Sequence, residues 1–99
     1  MGRISYAPVA RFDLYEAADF YARNASPQVV DAFYEDVYKS VVSALTHPQI
    51  GETFRLDIRR IRCHTFPYYI YYRQLHDGIR VVAFEHQKRH PGRLLKRLR

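Results

Sequence analysis

The sequence has almost no cysteine and no tryptophan. Cys63 is the only cysteine among 99 residues, which excludes an intrachain disulfide. A secreted domain of this size without disulfides is unusual, so we expect the protein to work in a reducing cytoplasm. The chain also lacks any stretch near the roughly 18 apolar residues that a membrane span needs, and no apolar segment follows Arg3 as it would in a secretory signal. We therefore expect a cytoplasmic protein with no membrane association.

The sequence signatures of several chemistries are missing as well. There is no glycine-rich phosphate loop and no serine-nucleophile elbow. Cys63 has no cysteine or histidine at a spacing typical of zinc, so a buried thiol is the favoured interpretation. Gly51 and Gly78 are interpreted as backbone requirements. The sequence thus predicts no cofactor and no metal.

The sequence contains enough apolar residues to form one hydrophobic core. Its charged residues are distributed very unevenly along the chain. Hydrophobic residues make up 47 % and aromatic residues 15 % of the chain, which predicts a single domain over residues 1–99. Residues 1–54 carry four Lys or Arg against seven Asp or Glu, whereas residues 55–99 carry twelve against three. The two halves therefore have net charges of −3 and +9. A basic half indicates a polyanionic or acidic partner, the alternative being that the excess charge serves only solubility.

Two helices are predicted in the first half of the chain. Pro8 suits a first helical position, and apolar residues recur at helical spacing from there to Asn24. Ser26 and Pro27 can cap and begin a second helix, which must end near His47 because a proline follows. The apolar stripe of this second helix comprises Val30, Phe33, Val37, Val41 and Leu45. The short connection predicts an antiparallel helical hairpin.

Four strands are predicted around this hairpin. Their segments are Arg3–Ala7, Ile58–Cys63, Tyr68–Arg73 and Ile79–His86. The Asp77-Gly78 pair predicts a type I′ turn between the last two strands. With that turn Arg73 would pair with Val82, and Tyr69 would face His86. One sheet face would then carry Tyr69, Tyr71, Arg73, Phe84 and His86, either as an open concave surface or as part of the core.

The predicted fold class is α+β, with the element order β-α-α-β-β-β. The helical hairpin packs on one face of a largely antiparallel four-stranded sheet. A short basic helix around Leu94, Leu95 and Leu98 is expected to follow.

Several motifs resemble a known family. The segment from Arg59 through Phe66-Pro67-Tyr68 to Ile70-Tyr71-Tyr72-Arg73 is similar to the ParE-type pattern of an arginine, Phe-Pro-Tyr and an Ile-Tyr-Tyr-Arg strand. The run from His86 to Pro91 resembles the His-x-x-Arg-(Asp)-Pro ending of that group, with His90 in place of the usual acid. Asp13-Leu14 and Pro48-x-x-Gly51 also match. The whole chain resembles the RelE/ParE superfamily of type II toxin–antitoxin toxins, closer to the ParE branch.

The resemblance implies one of two activities. RelE-like members are ribosome-dependent endoribonucleases that cut mRNA, and ParE-like members are linked to DNA gyrase poisoning. Both kinds are neutralised by an antitoxin, so the resemblance implies a hetero-oligomer with a cognate antitoxin whose acidic, disordered tail folds on binding.

Candidate site residues follow from this comparison. RNA cleavage needs acid/base groups and cations at one phosphate. The RelE-like pattern has an arginine in the middle strand, an arginine after the last strand and a tyrosine near the C-terminus. In this chain the corresponding positions are Tyr69, Arg89 and a position near Leu95, so only the arginine after the last strand is matched. If the protein is a ribonuclease, the catalytic candidates are His86, Arg89 and His90. If the protein is not a ribonuclease, we expect His86 to make a structural hydrogen bond and His90 to be a solvated loop residue.

The candidates for binding an anionic target are cations of the basic half. They are Arg59, Arg62, Arg73, Lys88, Arg89 and Arg93. Arg59, Arg60 and Arg62 alternate along one strand, so they cannot all face the same way. Because two of three RelE-like positions are not kept, we expect a ParE-like toxin that inhibits gyrase by binding. The alternatives are a RelE-like ribosome-dependent mRNA endoribonuclease and a non-toxic nucleic-acid- or protein-binding module.

Overall fold

The computed structural model describes residues 2–88, so Arg89, His90, Arg93 and the predicted terminal helix lie outside the described residues. Strand β1 (Arg3–Tyr6) leads into helix α1 (Pro8–Asn24), and helix α2 (Pro27–Thr46) follows after a short connection. Four strands complete the described chain: β2 (Glu52–Arg55), β3 (Ile58–Arg62), β4 (Tyr68–Leu75) and β5 (Gly78–His86). No helix of the described part is long and apolar enough to cross a membrane.

The strands form one mixed sheet in the order β1-β5-β4-β3-β2. Strand β1 runs parallel to β5, and the other neighbouring strands are antiparallel to each other. The parallel pair is possible because the chain between β1 and β5 is long enough to cross over, whereas the antiparallel strands are joined by short connections. The predicted α+β class, the helical hairpin and the largely antiparallel sheet are confirmed.

The sheet has five strands where the sequence predicts four. The additional strand is β2, which pairs with β3 across a turn formed by Leu56 and Asp57. This strand lies at the sheet edge and three of its four residues are exposed, so it has no apolar alternation that a sequence pattern could reveal.

The register between β4 and β5 also differs from the prediction. Leu75 pairs with Gly78, so the turn consists of His76 and Asp77 rather than Asp77 and Gly78. No described glycine has a positive φ, which excludes the predicted type I′ turn. The physical requirement at Gly78 is instead the close approach of β1, because an added Cβ would lie 1.9 Å from the carbonyl oxygen of Arg3.

A bulge in β5 interrupts this register. Tyr71 lies opposite Ala83 and Tyr72 lies opposite Val81, which leaves Val82 as the extra residue. Because of the changed turn Arg73 pairs with Arg80 instead of Val82, and the turn and the bulge together place Tyr69 opposite Glu85 instead of His86. The sequence carries no signal for this bulge, since valine and alanine both fit an unbroken strand.

Apolar side chains pack on both faces of the sheet. The helix-side core, between the hairpin and the sheet, includes Ala10, Ala17, Phe33, Val37, Val41, Ile70, Tyr72, Ile79, Val81 and Phe84. It contains Phe33, Val37 and Val41 of the predicted stripe of α2, with Leu45 packed against it. The N-terminus of α2 is capped by Ser26 Oγ, which accepts from the backbone N–H of Val29 at 3.2 Å. On the other face Ile58, Tyr71, Val82 and Ala83 are buried, with Phe54 and Tyr69 packed against them. We call this group the second-face cluster.

Candidate functional site

His86 ends β5 on the helix side of the sheet. Its ring lies edge-on to the ring of Tyr68, with 5.2 Å between centroids. Its Nδ1 accepts a hydrogen bond from the backbone N–H of Lys88 at 3.1 Å, which requires the ring hydrogen of the neutral imidazole to be on Nε2. This is a structural hydrogen bond at a strand end, the alternative role expected for His86.

A cavity of about 450 Å³ lies beside His86, between α1 and the ends of β4 and β5. The described residues that line it are mostly aromatic or acidic: Asp13, Glu16, Ala17, Phe20, Tyr21, Tyr68, Phe84, Glu85 and His86. Three of these side chains are carboxylates and none is Lys or Arg, so the described wall has the wrong sign of charge for an RNA phosphate.

Arg60 lies on the opposite face, against the second-face cluster. Its guanidinium is 4.3 Å from the ring centroid of Tyr69 and 5.8 Å from that of Phe54. It also donates to Tyr71 Oη at 3.4 Å and to the Glu52 carboxylate. The hydrogen bond to Tyr71 is the main reason that the pKa of Arg60 is raised above its ordinary value. Sequence reasoning placed Arg60 on this strand without selecting it, because alternation alone does not show which arginine meets the aromatic rings.

Arg73 is on the same face as Arg60. It lies opposite Ile58 of the second-face cluster, and its Nε is 2.9 Å from Asp57 Oδ2. Its side chain is only partly exposed.

Arg62 and Arg59 have different surroundings. Arg62 ends β3, where it donates to Gln87 Oε1 at 3.1 Å and to the Cys63 carbonyl at 2.9 Å, and it lines a groove of about 590 Å³ beside α2. Arg59 points to the connection after α2, donating to the Gly51 carbonyl at 2.8 Å and to Gln49 Oε1 at 2.6 Å. Lys88 is exposed beyond β5. The structure therefore does not gather Arg59, Arg62, Arg73 and Lys88 into one cluster.

The five residues predicted to share one sheet face do not do so. Tyr69, Tyr71 and Arg73 are on the second face, whereas Phe84 belongs to the helix-side core and His86 contacts Tyr68 of that core. The cause is the bulge at Val82, because an extra residue reverses which side chains of β5 face the helices.

Asp36 of α2 is a buried carboxylate that sequence reasoning missed. Its Oδ1 accepts from the backbone N–H of His64 at 3.0 Å, and its Oδ2 accepts from those of Thr65 at 2.9 Å and Phe66 at 2.8 Å. It thereby holds the loop that leads into Phe66-Pro67-Tyr68. The available signal was its position beside Val37 on the apolar stripe of α2, where an acid needs a buried partner.

Cys63 is buried, as predicted. Burial raises the pKa of its thiol to about 11. Within residues 2–88 no group of three or more His, Cys, Asp or Glu side chains is placed to hold a metal ion.

Comparison with known proteins gives the family. The sequence model of the ParE toxin of the type II toxin–antitoxin system, parDE, matches residues 4–91. The chain belongs to the ParE toxin family. No curated protein matches the sequence.

Solved structures of toxin–antitoxin systems share the fold of this ParE-family chain. The chromosomal ParDE system from P. aeruginosa superposes with a TM-score of 0.73 at 16% identity, covering 87% of this chain and 96% of that chain. The intact E. coli RelBE complex gives a TM-score of 0.61 at 16% identity, with 90% and 100% covered. The isolated E. coli RelE toxin gives 0.61 at 16% identity, with 100% of both chains covered.

Two motifs of this ParE-family protein meet in the structure. Tyr68 pairs with His86 across β4 and β5, and the backbone N–H of Gln87 donates to the Pro67 carbonyl at 2.9 Å. The Phe66-Pro67-Tyr68 segment and the start of the His86 run therefore fix each other at one end of the sheet.

Proposed function

We propose that this ParE-family protein is a cytoplasmic toxin that inhibits DNA gyrase and is neutralised by a cognate antitoxin. The family match supports the toxin assignment, and ParDE and RelBE, whose structures share the fold, are toxin–antitoxin systems. Inhibition would proceed by binding to gyrase or its DNA complex, without chemistry of the toxin's own.

The observation that carries the proposal is the separation of His86 from Arg60 and Arg73. His86 contacts Tyr68 on the helix side, whereas both arginines lie on the second face. RNA cleavage requires an acid/base group and a cation within reach of the same phosphate. The sheet separates His86 from these two arginines, and His86 itself is engaged in contacts with the ring of Tyr68 and the backbone of Lys88, which supports interference by binding over cleavage.

Charge supports the antitoxin part of the proposal. The second half of the sequence has twelve Lys or Arg against three acids. An acidic antitoxin segment would be attracted to this half and would fold as it binds, with the loss of chain entropy offset by buried surface.

Induced expression tests the proposal in cells. The chain is expressed alone and together with the product of the adjacent gene, and the DNA damage response and the decay of mRNA are followed. We expect growth arrest with a DNA damage response from the chain alone, and normal growth from the pair. Rapid mRNA decay without DNA damage would replace gyrase by ribosome-dependent mRNA cleavage, and harmless expression would leave a non-toxic binding module.

A further inference from the structure

Two arginines lie directly opposite each other on the second face of the sheet. Arg73 of β4 pairs with Arg80 of β5, and both residues are partly exposed. Residues that oppose each other on neighbouring strands share a face, and like charges at such positions destabilise the pair of strands. Folding alone therefore gives no reason for a second arginine opposite the first.

Arg80 is the less compensated of the two. Arg73 has the Asp57 carboxylate at 2.9 Å, whereas Arg80 forms no ion pair within residues 2–88. Its guanidinium donates to the hydroxyl of Ser5, its partner on β1, at 3.3 Å. A hydroxyl that accepts this hydrogen bond still has its own hydrogen to donate. Arg80 and Ser5 thus present hydrogen-bond donors and an uncompensated positive charge on an open face.

The surroundings of this pair are positively charged as well. Arg3, two residues before Ser5, is on the same face of β1, and its ion pair with Asp77 at 3.6 Å joins two exposed side chains, an arrangement that contributes little energy. This end of the sheet has an excess of two positive charges. The charged residues that give this excess are Arg3, Arg55, Arg73 and Arg80 against Asp57 and Asp77.

The arrangement of the cations indicates which kind of anion fits. Arg3, Arg80 and Arg73 come from three neighbouring strands, β1, β5 and β4, so they form a row across the sheet with one arginine on each strand. Neighbouring strands are about 4.8 Å apart, so the positive charges recur at a short and regular interval. The phosphates of a nucleic-acid strand also recur regularly, and they are bound mainly by arginine, lysine and hydroxyl donors.

An acidic protein segment fits this face less well. A segment that folds on contact must bury apolar surface to offset the entropy that it loses. The four buried residues of the second-face cluster are at most 5% exposed, so little apolar surface remains between the arginines. The exposed leucines, Leu56 and Leu75, are at the two turns rather than within the row. A phosphate backbone needs no apolar contact, and it is therefore the better match.

We propose that Arg73, Arg80 and Ser5 form a phosphate-binding site for duplex DNA, which Arg3 extends across β1. The inference deepens the proposed inhibition of gyrase, on which it rests for the source of the DNA. Through this site the toxin holds the DNA of the gyrase–DNA complex by its backbone, so the contact does not depend on base sequence.

Salt-dependent DNA binding tests the site directly. Affinity of the purified chain for a short fluorescently labelled DNA duplex is measured by anisotropy over a range of salt concentrations. Arg80→Gln should lower the affinity by roughly fivefold to tenfold at about 0.1 M salt and should reduce the slope of log affinity against log salt by about one, as expected for the loss of one phosphate contact. Arg80→Lys keeps the charge and should keep the slope.

Two controls separate the site from folding and from net charge. Arg80→Gln removes one of two opposed positive charges, so it should unfold at an equal or higher temperature than the wild type. Arg23→Gln removes the same charge from an exposed arginine of α1 that is paired with Asp19. This variant should bind the duplex with the affinity and salt slope of the wild type.

Four results would contradict part or all of this assignment. Unchanged affinity and salt slope in Arg80→Gln, or no duplex binding by the wild type, would overturn the inference. An equal loss in Arg23→Gln would show that only net charge matters and would also overturn it. Displacement of the duplex by a polyglutamate peptide, together with lost capture of the adjacent gene's product in Arg80→Gln, would reassign the site to an acidic protein segment. Gyrase that stays active despite Arg80-dependent DNA binding would overturn the gyrase assignment alone.

Discussion

The hydroxyl of Tyr72 ties the connection after α2 to the sheet. Tyr72 Oη accepts from the backbone N–H of Gly51 at 3.0 Å and donates to the Pro48 carbonyl at 2.9 Å. A Cβ on Gly51 would lie 2.6 Å from this oxygen. The sequence indicates a backbone requirement at Gly51, and the structure shows that the requirement is space for a hydroxyl rather than a left-handed φ.

Tyr72→Phe should destabilise the fold by about 1–3 kcal/mol, because it leaves a buried N–H and a carbonyl without their partner. The measurement is urea unfolding followed by circular dichroism. Tyr38→Phe, on an exposed tyrosine of α2, is the matched control and should change the free energy of unfolding by less than about 0.5 kcal/mol. Equal stability of the two variants would contradict this role.

We expect Cys63 to make the free energy of unfolding depend on pH in the alkaline range. Its pKa is raised from 9.0 to about 11 by burial, so from about pH 9 the unfolded thiol loses its proton while the folded thiol keeps it. The free energy of unfolding should therefore fall as pH rises from 9 to 11, by roughly 2–3 kcal/mol in total. Unfolding of wild type and Cys63→Ala is compared at pH 7, 9 and 10.5. If both lose the same stability over this range, the thiol is not the cause.

At the scale of elements, α2 does more than cover the sheet. Its buried Asp36 accepts three backbone N–H groups of the loop before β4. The preceding residue, Glu35, is exposed and forms an ion pair with Lys39 at 3.0 Å. These two adjacent acids of α2 therefore differ: Asp36 is buried and bonded to the backbone of a loop, whereas Glu35 faces solvent.

Asp36→Asn should cost roughly 2 kcal/mol or more, since the amide that replaces one carboxylate oxygen cannot accept from a backbone N–H. Glu35→Gln is the control on the same helix and should cost about 0.5 kcal/mol or less. Thermal unfolding of both variants gives the comparison. A similar, small loss in the two would show that the loop does not depend on this carboxylate.

The elements also show what a sequence pattern can and cannot predict. Both helices were predictable, because Pro8 marks the start of α1, and Ser26, Pro27 and the stripe through Phe33 and Val41 mark the start and the buried face of α2. Strand β2 and the bulge at Val82 were not, since an edge strand needs no apolar alternation and a bulge leaves composition unchanged. The wrong placement of the site residues followed from the missed bulge. Tyr69 and His86 were placed on one face by a register that the bulge alters.

At the scale of the whole molecule, the sheet separates two kinds of surface. His86 and the acid-lined cavity are on the helix side, and Arg60 and Arg73 are on the other. The family resemblance identified the fold from motifs, but only coordinates show that Phe66-Pro67-Tyr68 and His86 contact each other as structural partners.

His86→Asn tests this division. Asparagine can still accept the hydrogen bond from Lys88 through its Oδ1, so the strand end should be preserved. Growth arrest should stay within about twofold of the wild type, whereas loss of a general acid or base costs on the order of 10²–10⁴-fold in rate. The readout is growth after induction at matched protein level. Abolished arrest in a folded variant would indicate that His86 takes part in catalysis.

Inhibition of gyrase by direct binding can be measured with purified components. The toxin is added to DNA gyrase and relaxed plasmid, and supercoiling and DNA cleavage are measured beside mRNA integrity in a translating extract. We expect loss of supercoiling at micromolar toxin with intact mRNA. Unaffected gyrase together with cut mRNA would contradict it.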